Sequence, residues 1–228
     1  VFSIGLQGHT SIRKHNLTYG LAFNHQTIME RTREWELRDS AGFTLPSDGQ
    51  HIRMIYNLTS RHDLSTNRLA FYASDSYRFN TSTGYFALNA GLRFSYWDFN
   101  KEFLVSPRAN VAFVPDRNNA WTFRFATGLY YQQPFYKEFR QPIEDAYGNT
   151  VINLNENIKS QQSLHFILGT DYTFRMFDRP FKFSAEGYYK KLNKLIPYEI
   201  DNLKIVYQGE NLTDGYTAGL DMKLFGQF

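Results

Sequence analysis

The chain contains no cysteine, which excludes a disulfide framework and any thiolate metal site. No stretch approaches the roughly 18 consecutive apolar residues of a membrane-crossing helix. Excess charge is scarce as well: 25 Lys and Arg against 22 Asp and Glu leave +3 over 228 residues, too little for a nucleic-acid surface. Helical periodicity is hard to find anywhere. No leader-like segment opens the chain, because "VFSIGLQGHTS" begins inside a strand-like pattern; the chain is therefore expected to be part of a longer polypeptide. Catalytic signatures are missing too, with no G-x-S-x-G, H-E-x-x-H or G-x-x-x-x-G-K-[ST]. The six histidines (His9, His15, His25, His51, His62, His165) are scattered without ligand spacing. No enzyme, metal or cofactor is expected.

What is abundant is aromatic residues, 18% of the chain, with 21 Phe and 16 Tyr. They fall on a spacing of two. In "FKFSAEGYYKKLNKLIPY" (181–198) every second residue from Phe181 to Tyr189 is apolar or small, while Lys182, Ser184, Glu186, Tyr188 and Lys190 lie between. Strand side chains alternate faces, so such a stretch has a dry side and a wet side.

The same reading gives about ten strands, near 1–8, 17–27, 68–79, 85–97, 104–114, 120–132, 162–175, 181–197, 203–211 and 215–225. "NTSTG", "PDRNNA" and "MFDRP" read as tight turns, whereas the gaps at 28–67 and 133–161 are long. Short turns at one end and long loops at the other mark an antiparallel up-and-down barrel of the bacterial outer membrane. A soluble β-sandwich would also alternate, and a carbohydrate-binding module of that kind is one alternative. Strand length favours the barrel, because a bilayer-crossing strand needs ~9–11 residues.

In the clearest strands the apolar parity holds no charge, as in Phe86, Leu88, Ala90, Leu92, Phe94 and Tyr96. The opposite parity holds Arg93, Arg108, Arg124, Asp171, Lys182 and Glu186, which are expected to face a polar lumen. Tyr96, Trp97, Trp121, Tyr130 and Tyr131 cluster at strand ends, where interfacial girdles sit. Two residues break the pattern. Asp75 shares parity with Phe71 and Tyr77 and marks either the membrane boundary or a bulge; Pro107 belongs at a strand start or a bulge. The sequons at Asn16, Asn57, Asn80 and Asn211 read as turn chemistry.

"LAFYASDSYRF" (69–79) followed by "FALNAGLRFSYWDF" (86–99) resembles the paired strands of TonB-dependent outer-membrane receptors. "VSPRANVAFVPD" (105–116) and "WTFRFATGLYYQQPFYKEF" (121–139) are similar to the next hairpin and its loop entry, and "NLTDGYTAGLDMKLFGQF" resembles a later strand in the version common in Bacteroidetes. The resemblance covers only the barrel. It implies a larger barrel of about 22 strands, of which residues 1–228 would be an internal portion, with the plug domain absent. It further implies import of a scarce solute (a siderophore, cobalamin, an oligosaccharide or a peptide) with energy from the TonB complex, engaged through a missing N-terminal region. The implied setting is the lipid of a Gram-negative outer membrane, with a plug in the lumen. A self-contained porin-like barrel or a lipid-active barrel enzyme is the other membrane alternative.

Solute recognition is expected at the long-loop end. Tyr130, Gln132, Gln133, Phe135, Tyr136, Glu138 and Arg140 leave the strand with aromatics, amides and both signs of charge, the mixture that concave sites use. The 28–67 segment, with Trp35 and His51, is the rival location.

Overall fold

A strand whose two faces meet different surroundings must alternate, and here the alternation is sustained in long antiparallel strands. The computed structural model describes residues 1–38, 53–146, 150–201 and 204–226. Within them the strands are β1 (Phe2–Ile12), β2 (His15–Arg38), β3 (Arg53–Asn80), β4 (Gly84–Trp97), β5 (Glu102–Pro115), β6 (Trp121–Gln132), β7 (Arg140–Glu144), β8 (Thr150–Leu154), β9 (Gln161–Met176), β10 (Arg179–Leu195), β11 (Tyr198–Asp201), β12 (Lys204–Tyr207) and β13 (Thr213–Gly226). The wall runs β1-β2-β3-β4-β5-β6-β9-β10-β13, and each strand is antiparallel to its neighbours. It is an open portion of an up-and-down transmembrane barrel. Among the described residues β1 and β13 each pair on one edge only.

The register makes the two faces coherent across strands. One rung joins Tyr77, Leu88, Val111, Phe125, Leu168, Gly187 and Leu220. Leu168 is 67% exposed and Leu220 63%. A sandwich would bury this face beneath a second sheet; here it is an uncovered apolar band. Near the turn end the band becomes a belt of rings: Phe79 on Phe86 (5.3 Å), Phe86 on Phe113 (4.5 Å) and Trp121 on Tyr172 (4.5 Å). The connections at that end are tight. Phe177 and Asp178 both take positive φ, 55° and 59°, the mirror-type turn whose twist matches the flanking strands.

Five sequence expectations are corrected. The 28–67 gap is chiefly strand: β2 and β3 stay paired from His15↔Tyr77 to Arg38↔Arg53. They run roughly 45 Å past their last rung with β4. The 203–211 segment is no wall strand. Its β12 pairs with β11 in a separate two-stranded sheet, and β10 pairs directly with β13. The girdle assignment fails for Trp97 and Tyr130, because neighbours along a strand point to opposite faces; Tyr96 and Tyr131 take the apolar side.

Asp75 is at no bulge either, since its register with Leu17 and Ala90 is unbroken. It faces His15 at 2.6 Å on the apolar side. Pro107 lies inside β5, paired with Leu92. The β5–β6 ladder stops at Arg108, one residue short of it, and Pro107 has no N–H to continue that ladder.

Candidate functional site

Two regions on the polar side of the wall carry the chemistry. Arg93, Arg108, Arg124, Asp171, Lys182 and Glu186 all occupy the parity opposite the apolar band. Toward the turn end, Asp171 is the hub. Arg124 Nη2 reaches it at 3.1 Å, Lys182 Nζ at 3.2 Å, and the Ser184 hydroxyl donates to it at 2.7 Å. Gly169 gives the guanidinium passage, since a Cβ there would stand 3.3 Å from Arg124 Nη2. Glu186 sits on the next rung, directly opposite Asp221.

Higher on the wall, Ser76 donates to Asn89 and Asn89 Nδ2 donates to Asn110 Oδ1 at 2.8 Å. These residues floor a cavity of about 560 Å³ beside Arg93, Arg108 and Tyr130. Arg108 lies 4.3 Å from the centroid of the Tyr130 ring, which stacks on His165 at 4.4 Å.

Above the strand ends the connections form a vestibule with its own small core. Trp97, Phe139 and Ile158 are each 1% exposed and pack with Ile196. A 3-10 helix, Tyr136–Glu138, carries the chain across it. Glu138 caps that turn: one carboxylate oxygen accepts the Phe135 N–H at 3.0 Å and the other accepts the Gln161 amide at 3.0 Å. Burial pushes its carboxyl above the ordinary value, against those two hydrogen bonds.

The loop is tied to the β2–β3 extension. Arg140 pairs with Glu30 at 3.1 Å, and the Tyr136 hydroxyl donates to the same carboxylate at 2.5 Å. Burial and the Glu30 partner both push the Tyr136 phenol upward. Lys204 of β12 pairs with Glu34 at 3.1 Å. Asn211 bridges Lys159 and Lys194 through their carbonyls at 2.9 and 2.7 Å, so this sequon asparagine serves loop architecture.

Two cavities flank the 3-10 helix, about 690 Å³ on the β12 side and about 530 Å³ on the Trp97 side. Phe135 and Lys137 line both. Of the residues expected to bind solute, Phe135 and Gln132 are exposed, Gln133 and Tyr136 half-buried, and Glu138 and Arg140 committed to partners within the chain. Tyr130 belongs to the wall cavity below, a separate place. In the rival segment Trp35 is exposed on β2, and His51 lies outside the described residues. Glu30, Glu34, Tyr56, Lys137, Lys204 and Tyr207 were not singled out by sequence. They come from distant segments, and no local spacing joins them.

A family model described as TonB dependent receptor-like, beta-barrel, matches residues 2–228. No curated protein matches the chain by sequence. Among solved structures, the siderophore receptor PirA from Pseudomonas aeruginosa is 15% identical with a TM-score of 0.62, covering 96% of this chain and 38% of that one. The outer membrane transporter YddB from Escherichia coli is 11% identical with a TM-score of 0.63, covering 97% and 29%. A variant ferric enterobactin receptor from Pseudomonas aeruginosa, solved with enterobactin, is 16% identical with a TM-score of 0.60, covering 96% and 32%. The chain thus spans about a third of the length of the structures it matches, and at these identities the likeness is one of fold. Matched by the family model over nearly its whole length, the chain belongs to the TonB-dependent receptor-like β-barrel family.

Proposed function

We propose that this wall belongs to an outer-membrane receptor of a Gram-negative bacterium that captures a scarce solute outside the cell and imports it with TonB-transduced energy. The observation carrying the reading is the stacking of two polar regions on one strand scaffold. A packed vestibule with cavities of about 690 and 530 Å³ stands above a charged inner wall, and an apolar band on the other face suits lipid. No bond chemistry is assigned. In this reading the inner face encloses a plug supplied by the rest of the receptor, which also engages TonB.

Phe135, Tyr136 and Gln133, with Lys137, contact the solute at the vestibule, and Tyr130 and Gln132 meet it on its way down. Glu138 and Arg140 hold the loop in shape. The solute class is one that a receptor concentrates because diffusion cannot supply it: a siderophore, cobalamin, an oligosaccharide or a peptide.

The test uses the full receptor in outer-membrane cells. A panel of ferric enterobactin, cobalamin, maltooligosaccharides and short peptides is assayed for uptake with and without a protonophore. One panel member should accumulate only while the proton gradient stands. Uptake indifferent to the protonophore would make the protein a passive pore instead.

A further inference from the structure

We infer that the vestibule takes an extended peptide, which adds as a strand to the free edge of β12. The inference rests on the function proposed above and names the class of solute. Gln208 donates its N–H to the Pro197 carbonyl at 3.1 Å, on the rung that continues the β11–β12 register. Bonded and non-bonded pairs alternate along an antiparallel ladder. Glu199–Val206 and Asp201–Lys204 are therefore bonded pairs, and Tyr198–Tyr207 and Ile200–Ile205 are not. The N–H and C=O groups of Ile205 and Tyr207 thus turn outward, away from β11. Among the described residues no strand pairs with β12 on that side. Lys204, Ile205, Val206 and Tyr207 all line the cavity of about 690 Å³. Consecutive residues of a strand point to opposite faces, so a cavity lined by four in succession lies against the strand's edge.

That edge is held in place at both ends. At the base, Asn155 Nδ2 donates to the Gly209 carbonyl at 2.8 Å. Gly209 has a φ of 74°, and a Cβ there would stand 2.3 Å from Gln141 Cγ. Toward the tip, Lys204 pairs with Glu34 at 3.1 Å, and the Tyr207 ring meets Phe135 edge-on at 5.3 Å. The edge offers a donor and an acceptor side by side and repeats them two residues on, ~7 Å away. An extended peptide carries the same groups at the same spacing, and strand addition draws its affinity from such main-chain hydrogen bonds. Tyr56, Leu58 and Ile152 line the same cavity and give the peptide's side chains an apolar seat. Charge sets a further preference. Arg140 and Lys204 are paired with Glu30 and Glu34. The Lys137 ammonium, also on the cavity lining, has no ion-pair or hydrogen-bond partner among the described residues. A free C-terminal carboxylate supplies one.

The full detergent-solubilised receptor is incubated with a random pentapeptide library bearing free C-termini, and retained peptides are identified by mass spectrometry. The strongest is then titrated calorimetrically. Proline is tolerated on a strand edge whose N–H faces outward, so Ile205→Pro deletes one docking donor and keeps the β11 pairing. It should weaken the peptide about tenfold beyond Ile205→Ala, the loss of one main-chain hydrogen bond. Ile200→Pro makes the same change on the far edge of the hairpin and should bind as the wild type does. N-methylation of the peptide should weaken it at alternate residues only. C-terminal amidation should weaken binding to the wild type and not to Lys137→Gln. Heat-modified gel migration confirms that each variant forms its barrel. The inference is overturned if no peptide is retained, or if Ile205→Pro binds as tightly as Ile205→Ala. Protonophore-sensitive uptake of ferric enterobactin, cobalamin or a maltooligosaccharide with no peptide retained would overturn it and leave the importer standing. Peptide binding that follows the Ile205→Pro pattern without energised uptake would uphold the strand edge and remove the importer.

Discussion

The β2–β3 hairpin is one continuous ladder with two different sequences written on it. From Leu17 to Phe23 its residues alternate strictly, Leu17, Tyr19, Leu21 and Phe23 on one side and Thr18, Gly20 and Ala22 on the other. Beyond Ile28 the same strand reads MERTREWELR, with charges on both parities, yet the pairing to β3 continues to Arg38↔Arg53. Backbone hydrogen bonding is thus indifferent to the side-chain pattern. What the pattern records is whether the two faces meet different media. Within the wall they do; in the vestibule both meet water or packed loop.

The comparison breaks most visibly in the vestibule core. Phe139→Ala removes a ring that is 1% exposed and should cost about 3–5 kcal/mol of loop stability. Limited proteolysis should then cut within the 133–160 connection while the wall keeps its heat-resistant gel migration. Simultaneous loss of the wall would mean that vestibule and barrel are one cooperative unit.

Within the wall, Leu168→Arg places a cation on the uncovered apolar band and should cost ~2–4 kcal/mol near the bilayer midplane. Tyr188→Arg, on the polar face opposite Ile167, should cost far less. Folding titrations into lipid vesicles compare the two, and equal effects would remove the assignment of faces. Asp171→Asn strips Arg124 and Lys182 of their shared partner. With both cations partly solvated, a loss of about 1–3 kcal/mol is expected in the same titration. Glu186→Gln should be neutral or slightly stabilising, because it relieves the like charge of Asp221 across the rung.

A smaller effect is expected from pH at Glu138. Its folded-state pKa is raised by burial, so the folded loop binds a proton more tightly than the unfolded one. Loop stability should therefore rise as pH falls through the folded-state value and level off below the unfolded one. Protease resistance of the 133–160 connection should increase on acidification toward the ordinary carboxylate range, and Glu138→Gln should flatten the response. A loop that loosens on acidification would reverse the assigned cause.

Much of the wall was legible because each of its strands reports its own faces. Phe86, Phe113 and Phe123 were placed on one parity strand by strand, and the ladder sets them on one rung. The vestibule was not legible for the same physical reason: the β2–β3 extension has no solvent contrast to write into its spacing. Segment 203–211 misleads because a short alternation such as Lys204–Tyr207 looks alike in a loop hairpin and in a wall. Tyr96–Trp97 and Tyr130–Tyr131 look like clusters in the sequence although adjacent residues of a strand cannot share a face. The vestibule contacts, Glu30 with Arg140 or Glu34 with Lys204, join residues more than a hundred positions apart in sequence, and nothing local could have indicated them.

The short β5–β6 ladder makes the wall mechanically uneven. It runs from Arg108 to Phe113, whereas β4–β5 runs from Gly84 to Trp97 and β6–β9 from Trp121 to Gln132. The sheet is therefore two stiff plates joined along a crease, free to flex on the side where Pro107 ends the bonding. Arg108 stands on the last rung of that crease, on one plate, and His165 and Lys190 stand on the other. The Arg108 guanidinium, 4.3 Å from the centroid of the Tyr130 ring, is thus a side-chain contact that crosses the crease where backbone bonding ends.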